Sequence, residues 1–299
     1  MSLLIFLLTS LIGGTGAPLI KFTLNYFPTV GFLALRALLS SLIVLPFIYH
    51  ELTRIKPKQI RYLILSSVFF AGNWLFFAMG IQKTSVIMGQ LIYLLTAPLV
   101  ALIAYLFLKE KLTSQQLFGL TITIFGLAIL AYGSIKSQDV LSFGTPIGNF
   151  LVVCGLLSWS LYNVISRKIS AIYKPQVIIF FNFAITTLIS LLIFPFNLTN
   201  EVIKISQIPT VAVLGLLGVV ILSSVLFFFL YQWLIKNTSA FISSLTLYPI
   251  SLIAGLAGIV FFGEKLTPSF VFGGMLVMTG VFIATSYQYL KNSVFKYAN

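Results

Sequence analysis

The sequence predicts an all-α membrane protein: ten transmembrane helices set out as two inverted five-helix repeats, with the N- and C-termini cytoplasmic. Three observations carry that expectation. The first is composition, since 59% of the 299 residues are hydrophobic and only 8% are charged, whereas a soluble domain carries roughly 25% charged residues. The second is that apolar runs of about 18 or more residues recur along the chain, each able to cross a bilayer core of roughly 30 Å. The third is an internal repeat, the feature whose omission most readily misassigns a fold. Glu110-Lys111-Leu112-Thr113 returns as Glu264-Lys265-Leu266-Thr267, 154 positions further on. At the same offset Thr84-Ser85 meets Thr238-Ser239, Phe107 meets Phe261, Phe118-Gly119 meets Phe272-Gly273, and Gly126 meets Gly280, without a gap.

In order, the spans fall near 3–21, 28–48, 61–81, 84–108, 115–133, 146–167, 175–195, 209–235, 238–262 and 269–290. The opening stretch, Met1 to Leu11, lacks the positive n-region of a cleaved signal peptide, so it reads as a retained first helix. The connections are short. Those at 134–145 and 196–208 contain Gly, Pro, Ser and Asn and read as turns. The first of these separates a repeat at 3–133 from a second at 146–290.

Orientation follows from the basic residues in the loops. With the N-terminus cytoplasmic, the inside holds Arg54, Lys56, Lys58, Arg61, Lys109, Lys111, Arg167, Lys168, Lys174, Lys236, Lys291 and Lys296. The outside holds only Lys21, Lys83, Lys136, Lys204 and Lys265. Five helices per half is an odd number, so the second half must enter the membrane from the opposite side. The Glu110 turn then faces the cytoplasm and the Glu264 turn faces outward. Inverted repeats that rock around a midplane site are a recurrent plan of secondary transporters. A fixed channel and a membrane enzyme are the readings outside carrier transport.

The net charge of +13 does not point to nucleic acid, because the basic residues sit singly or in small groups between apolar runs, as topology control requires. Cys154 is the only cysteine, so neither a disulfide nor a thiolate cluster is expected, and it reads as a small buried apolar residue. Glu51, Glu110, Asp139, Glu201 and Glu264 all fall in loops and His50 at a helix end. No metal site and no cofactor are expected. A membrane enzyme would need clustered His, Asp or Glu near one face, and an intramembrane proton relay would need a carboxylate within a span. Uniport or exchange is therefore expected rather than proton coupling.

At this level of detail the sequence resembles the drug/metabolite transporter superfamily, in its two-domain EamA type of ten helices. The pattern of the fourth and fifth helices is met by Thr84-Ser85, Pro98, Glu110-Lys111-Leu112, Gly119 and Gly126. Its second copy is met by Thr238-Ser239, Pro249, Glu264-Lys265-Leu266, Gly273 and Gly280. Arg36 matches the arginine of the second helix. The first-helix Trp-Gly, eight residues before a lysine, is only half kept: Lys21 and Gly14 fit, and Gly13 replaces the tryptophan. In the second half Trp159 and Arg167 keep the spacing, while Ser160 replaces the glycine. The resemblance implies a carrier of small metabolites such as amino acids, nucleotide derivatives or drugs. It also implies a cavity walled by helices 1, 3, 4, 6, 8 and 9, with helices 5 and 10 outside it.

Polar residues inside apolar spans are costly and tend to face a bundle interior or cavity. Trp159 and Asn163, four apart on one helix face, offer an aromatic plane and an amide for substrate; the plainer reading is interhelical packing. Gln90 with Tyr93, and Ser244 with Tyr248, form polar–aromatic pairs on the fourth and ninth helices, and Ser244 is the repeat equivalent of Gln90. Asn73 and Trp74 point in adjacent directions, so one of them is expected to face the cavity. Arg36 lies about eight residues, or roughly 12 Å, into its helix at 1.5 Å per residue. It could attract a carboxylate or phosphate, or serve as a structural arginine tied to carbonyls or snorkelling outward. Gln232 and Trp233 lie near the inner end of helix 8, Trp233 as an interfacial anchor. Gly13, Gly14 and Gly16 suit tight helix packing or a close approach of substrate.

Gating candidates complete the set. Lys21 with Glu264 would close the outside, and Glu110 with Arg167 the inside, against the plainer reading of solvated turn charges. Pro98 and Pro249 each free a carbonyl and could hinge their helices. The expectation is an alternating-access carrier for small, amino-acid-like metabolites, with export ahead of uptake; the runner-up cargo is a larger nucleotide derivative. Its partners would be a small-molecule substrate and the lipid bilayer of a bacterial cytoplasmic (inner) membrane, with a homodimer admitted and no nucleic acid.

Overall fold

The computed structural model describes residues 2–52, 57–96, 98–100, 102–103, 114–136, 143–194, 208–237, 243, 246–265, 268, 271–280 and 282–283. Among them all regular structure is helical. In chain order the helices are α1 (Ser2–Thr23), α2 (Thr29–Leu52), α3 (Pro57–Ile81), α4 (Val86–Tyr93), α5 (Ser114–Lys136), α6 (Pro146–Ile169), α7 (Pro175–Ile193), α8 (Thr210–Asn237), α9 (Leu247–Phe262) and α10 (Val271–Gly280). Six of them, α1, α2, α3, α6, α7 and α8, are long and apolar enough to cross a membrane. The helices α4, α9 and α10, and Leu117–Gly126 of α5, are shorter apolar segments.

Local chemistry sets the starts. Thr145 caps α6 by accepting the Gly148 N–H at 3.1 Å, and Pro146 and Pro175 open α6 and α7, where a missing N–H costs nothing. Ser85 caps α4 by accepting the Met88 N–H at 3.0 Å. Regular α-helix then lasts only to Tyr93; Leu94 and Leu95 form a turn, and the Leu99 N–H returns to the Leu95 carbonyl at 2.9 Å. Pro98 has no N–H for the Leu94 carbonyl, which places the break one turn ahead of it. Pro249 behaves otherwise. It stands in the first turn of α9, which begins at Leu247 after Thr246, so it interrupts no bond inside that helix. A third departure was not foreseen: residues Val219–Leu226 within α8 are π-helix.

Two sets of contacts fix how the helices run. Lys21, at the end of α1, donates to the Thr84 carbonyl at 3.0 Å, and the Thr145 N–H donates to the Lys83 carbonyl at 2.8 Å. So α1 ends on the side where α6 begins. On that same side the Glu264 carboxylate, just beyond α9, meets the start of α4. So α9 ends where α4 begins. At the opposite end Lys174, ahead of α7, pairs with Glu51 of α2 at 2.5 Å.

The pairing α5 with α10 is reciprocal. A Cβ on Gly126 would lie 2.8 Å from the Gly273 carbonyl oxygen and 2.7 Å from the Val277 nitrogen. A Cβ on Gly280 would meet the Gly119 oxygen and the Thr123 nitrogen at 2.6 Å each. Every member of one contact is the 154-offset partner of a member of the other. A two-fold axis generates this kind of self-complementary contact. Backbones approach this closely only where no side chain intervenes.

The interior lies between α3, α6, α7 and α8. The Phe70 ring stands 4.9 Å from Trp74, 5.2 Å from Tyr162, 4.8 Å from Phe228 and 6.0 Å from Phe183. Such edge-on and tilted contacts add about 0.5–1.5 kcal/mol each beyond area burial.

Candidate functional site

Beside this aromatic cluster lies a cavity of about 110 Å³. Gly13, Gly16, Ala17 and Ile20 of α1 face it, with Arg36 of α2 and Asn73, Trp74, Phe77 and Ala78 of α3. Gln90 and Tyr93 come from α4, Trp159 from α6, Ser223, Phe227 and Phe228 from α8, and Leu247 and Ile250 from α9. Its polar side chains, Arg36, Asn73, Gln90, Tyr93, Trp159 and Ser223, are all buried. The helices are those that the family resemblance implies, with α2 added through Arg36.

Arg36 is held from two directions. Its Nε donates to Ser224 Oγ at 2.8 Å and its Nη2 to the Ser223 carbonyl at 3.1 Å, while its guanidinium lies 3.6 Å over the Trp74 ring. The π-helical segment makes this mooring work. The Ser224 hydroxyl gives its hydrogen to the Val219 carbonyl, five residues back at 3.0 Å, leaving a lone pair for Arg36. π-Segments are rare and concentrate at functional sites. Arg36 is thus tied to a carbonyl and, though buried, also lines the cavity.

Asn73 and Trp74 both line the cavity, where one was expected. Asn73 donates to the Tyr93 hydroxyl and to the Gly155 carbonyl, the latter at 3.0 Å. Ser251 of α9 approaches Gln90 Oε1 at 3.3 Å. Trp159 lines the cavity but Asn163 does not. One turn further along α6, Asn163 donates to the Trp159 carbonyl and accepts from the Tyr231 hydroxyl, both at 2.8 Å. A separate buried network nearby joins Tyr162, Ser166, Asn182 and Gln232. Asn182 donates to the Tyr162 hydroxyl at 2.9 Å, and Gln232 donates to that hydroxyl and to Ser166. Four residues advance a helix by 400° rather than a whole number of turns, enough here to carry Asn163 from the cavity wall into packing between α6 and α8. Trp233 is half-buried near the end of α8.

Tyr248 lies elsewhere too, in a groove of about 310 Å³ between α4, α9 and α10. Gln90 borders both spaces. The groove is edged by exposed Leu252, Leu256, Met275 and Met278. Ser244, the expected companion of Tyr248, lies outside the described residues, as does Glu110.

The gating candidates are placed unequally. Gly263 closes α9 in the left-handed region (φ 63°), which glycine enters at least cost. Glu264 consequently folds back, its N–H on the Gly258 carbonyl at 3.3 Å. Its carboxylate accepts from the Val86 and Ile87 N–H groups at 2.6 and 2.9 Å and from Lys21 Nζ at 3.1 Å. The carboxylate thus sits on the N-terminus of α4, where orphan N–H groups and the helix dipole favour negative charge. Its side chain is 1% exposed, so Glu264 is no solvated turn residue. Gly258 makes the room: a Cβ there would lie 2.5 Å from Glu264 Oε2. Arg167 donates to the Ile235 carbonyl at 2.6 Å, a cation at the end of α8.

The glycines of α1 are packing residues as well as lining ones. A Cβ on Gly13 would meet Ile250 at 2.6 Å and Phe227 at 2.7 Å, and one on Gly14 would meet Ile253 at 2.6 Å. Sequence reasoning missed Ser223, whose π-helical setting has no local signature. It also missed Gly258, whose need for glycine depends on where Glu264 lands.

The sequence matches the model of the EamA-like transporter family over residues 1–132 and 146–286. It is 27% identical over 285 residues to the uncharacterized transporter YyaM of Bacillus subtilis (strain 168), covering 92% of this chain and 90% of that one. An uncharacterized transporter of Archaeoglobus fulgidus is 22% identical over 291 residues, covering 96% and 98%. The uncharacterized transporter YoaV of Bacillus subtilis is 25% identical over 274 residues, covering 89% and 90%. A crystal structure 16% identical in sequence superimposes with a TM-score of 0.66 over 96% of each chain, a likeness of fold alone.

Proposed function

The chain belongs to the EamA-like transporter family and is an integral multi-pass membrane transporter, and from that premise we propose that it carries small metabolites by alternating access between two inverted five-helix repeats. One observation carries the reading. A cavity is walled by helices from both halves of the chain, and an ion pair, Lys21 with Glu264, joins the halves. The reversed directions of α1 against α6 and of α4 against α9 support inversion, as does the reciprocal glycine contact of α5 with α10. The excess of basic residues at the other end supports cytoplasmic termini and insertion in a bacterial cytoplasmic membrane.

In this reading Lys21 and Glu264 seal the outer side, and Glu110 with Arg167 act at the inner side in the opposite state. Trp159, Asn73, Trp74, Gln90, Tyr93 and Arg36 contact the cargo; Asn163 supports Trp159 from behind. The cargo is a small carboxylate-bearing metabolite, amino-acid-like compounds being the expected class and export the expected direction. A cavity of about 110 Å³ favours that class over a nucleotide derivative. Uniport or exchange fits a cavity lined, among the described residues, by no acidic side chain.

Two measurements test the reading. Impermeant labelling of tags within 134–145 and at the C-terminus should report opposite sides of the membrane; the same side for both ends the inverted arrangement. Proteoliposomes should show counterflow without ion conductance, and single-channel currents would replace the carrier by a channel.

A further inference from the structure

The cavity holds two buried polar atoms with no hydrogen-bond partner, the Trp159 Nε1–H and the Ser223 hydroxyl. Buried polar groups are nearly always paired, so orphans mark either strain or a missing ligand. Both orphans line the cavity that Arg36 lines. The Ser223 carbonyl already holds the guanidinium, so the residue that carries the hydroxyl is anchored to Arg36. Gly16 packs beside that hydroxyl, where a Cβ would stand in ordinary contact, 3.5 Å from Ser223 Oγ.

The charge balance points the same way. Arg36 has five N–H donors, of which two reach Ser224 and the Ser223 carbonyl. Among the described residues its charge meets no carboxylate, because the ion pairs present are Lys21 with Glu264 and Lys174 with Glu51. A buried cation without a counter-charge is costly, and an anion entering the cavity would relieve that cost. Stacking on Trp74 and the two moorings hold the guanidinium in place beforehand, which lowers the entropy lost on binding.

We propose that Arg36, Ser223 and Trp159 form the carboxylate-binding end of the carrier cavity, and that its preferred cargo is a small organic monoanion with an uncharged apolar body rather than a zwitterion. The proposal rests on the carrier reading above and replaces its amino-acid-like cargo by carboxylates that lack an ammonium group. A zwitterion would bring an ammonium group into a cavity with no acidic side chain among the described residues. The aromatic face nearest the guanidinium, that of Trp74, is already taken by Arg36. Phe227, Phe228, Leu247 and Ile250 instead offer apolar wall. Size agrees: a cavity of about 150 Å³ accepts benzene, so about 110 Å³ suits a carboxylate on a short branched chain.

The test is an isosteric trio added to the full chain in lipid nanodiscs: 2-methylpropanoate, 2-methylpropanamide and L-alanine, the last exchanging a methyl for the ammonium. Calorimetry should give the carboxylate at least about tenfold tighter binding than either companion, the equivalent of ~1.4 kcal/mol. Ser223→Ala removes one orphan and leaves the backbone mooring of Arg36 intact. It should weaken 2-methylpropanoate several-fold without lowering the melting temperature of the ligand-free protein. Arg36→Lys, which keeps the charge but not the fork, should weaken it further. The proposal is overturned if L-alanine binds as tightly as 2-methylpropanoate, if none of the three binds, or if Ser223→Ala leaves anion affinity unchanged. Counterflow separates this from the carrier reading. Binding without counterflow keeps the site and removes the carrier, whereas L-alanine counterflow exceeding that of the anion keeps the carrier and removes the assignment.

Discussion

Replacing Glu264 by glutamine keeps the volume of the side chain and deletes its charge, so it isolates what the carboxylate does where α9 ends and α4 begins. The native group satisfies three donors at once: two N–H groups at the start of α4 and the Lys21 ammonium. The amide supplies one acceptor oxygen and turns an NH₂ toward one of the remaining donors. Losing hydrogen bonds to a charged group costs about 1.5–3 kcal/mol each, and removing one partner of a buried ion pair costs about 3–5 kcal/mol. The Lys21 side chain is 19% exposed and can turn toward water, which discounts the second figure. Together they set a loss of about 2–4 kcal/mol in the closed arrangement, a ~30- to ~900-fold shift toward opening on that side. The assay uses a Cys154→Ser background with Ala78→Cys as a reporter within the cavity, where alanine is 1% exposed. Glu264→Gln should accelerate labelling by an impermeant maleimide from the Lys21 side. An unchanged rate, in a variant that still purifies as a single species, refutes the gate.

Further outcomes follow from the same geometry. Gly258→Ala keeps every charge but puts a methyl 2.5 Å from Glu264 Oε2, so it should reproduce the labelling phenotype of Glu264→Gln; parental labelling would show that the carboxylate is not held against α9. Gly263→Ala forces alanine into the left-handed region (φ 63°) and should lower stability by about 1 kcal/mol, read as a drop in melting temperature. Gly126→Ala and Gly280→Ala each drive a methyl into backbone of the facing helix, which cannot yield as a side chain can. Each should destabilise by about 1–3 kcal/mol, and similar losses for the two are the signature of a two-fold contact. Tyr231→Phe strands Asn163 Oδ1 in the interior and should cost about 1–3 kcal/mol by thermal or denaturant unfolding in detergent, with cargo affinity little altered.

The sequence by itself determined the helical membrane architecture, the duplication, and which residues were candidates for the site. Hydropathy and a fixed repeat offset are one-dimensional properties, so they survive in a string of letters. The Glu-Lys-Leu-Thr repeat singled out Glu264, and the eight-residue spacing singled out Lys21. What it left open was which candidates share a space. Trp159 and Asn163 look equivalent on a helical wheel, yet only one faces the cavity, because that depends on how α6 is rotated against α3 and α8. Pro98 and Pro249 stand three positions apart in the repeat register, Pro249 matching Leu95. Each follows a turn, Leu94–Leu95 ahead of Pro98 and Thr246 ahead of Pro249, and where such a turn falls is decided by packing. Tertiary structure alone decided that Ser223 stands beside Arg36, since a π-helical stretch shifts residue phase in a way no local pattern records. It alone made Gly258 indispensable, through a carboxylate that folds back from beyond the helix end. Periodicity fixes which residues are buried; rotation, register and helix ends fix what they are buried against, and those are settled by contacts distant along the chain.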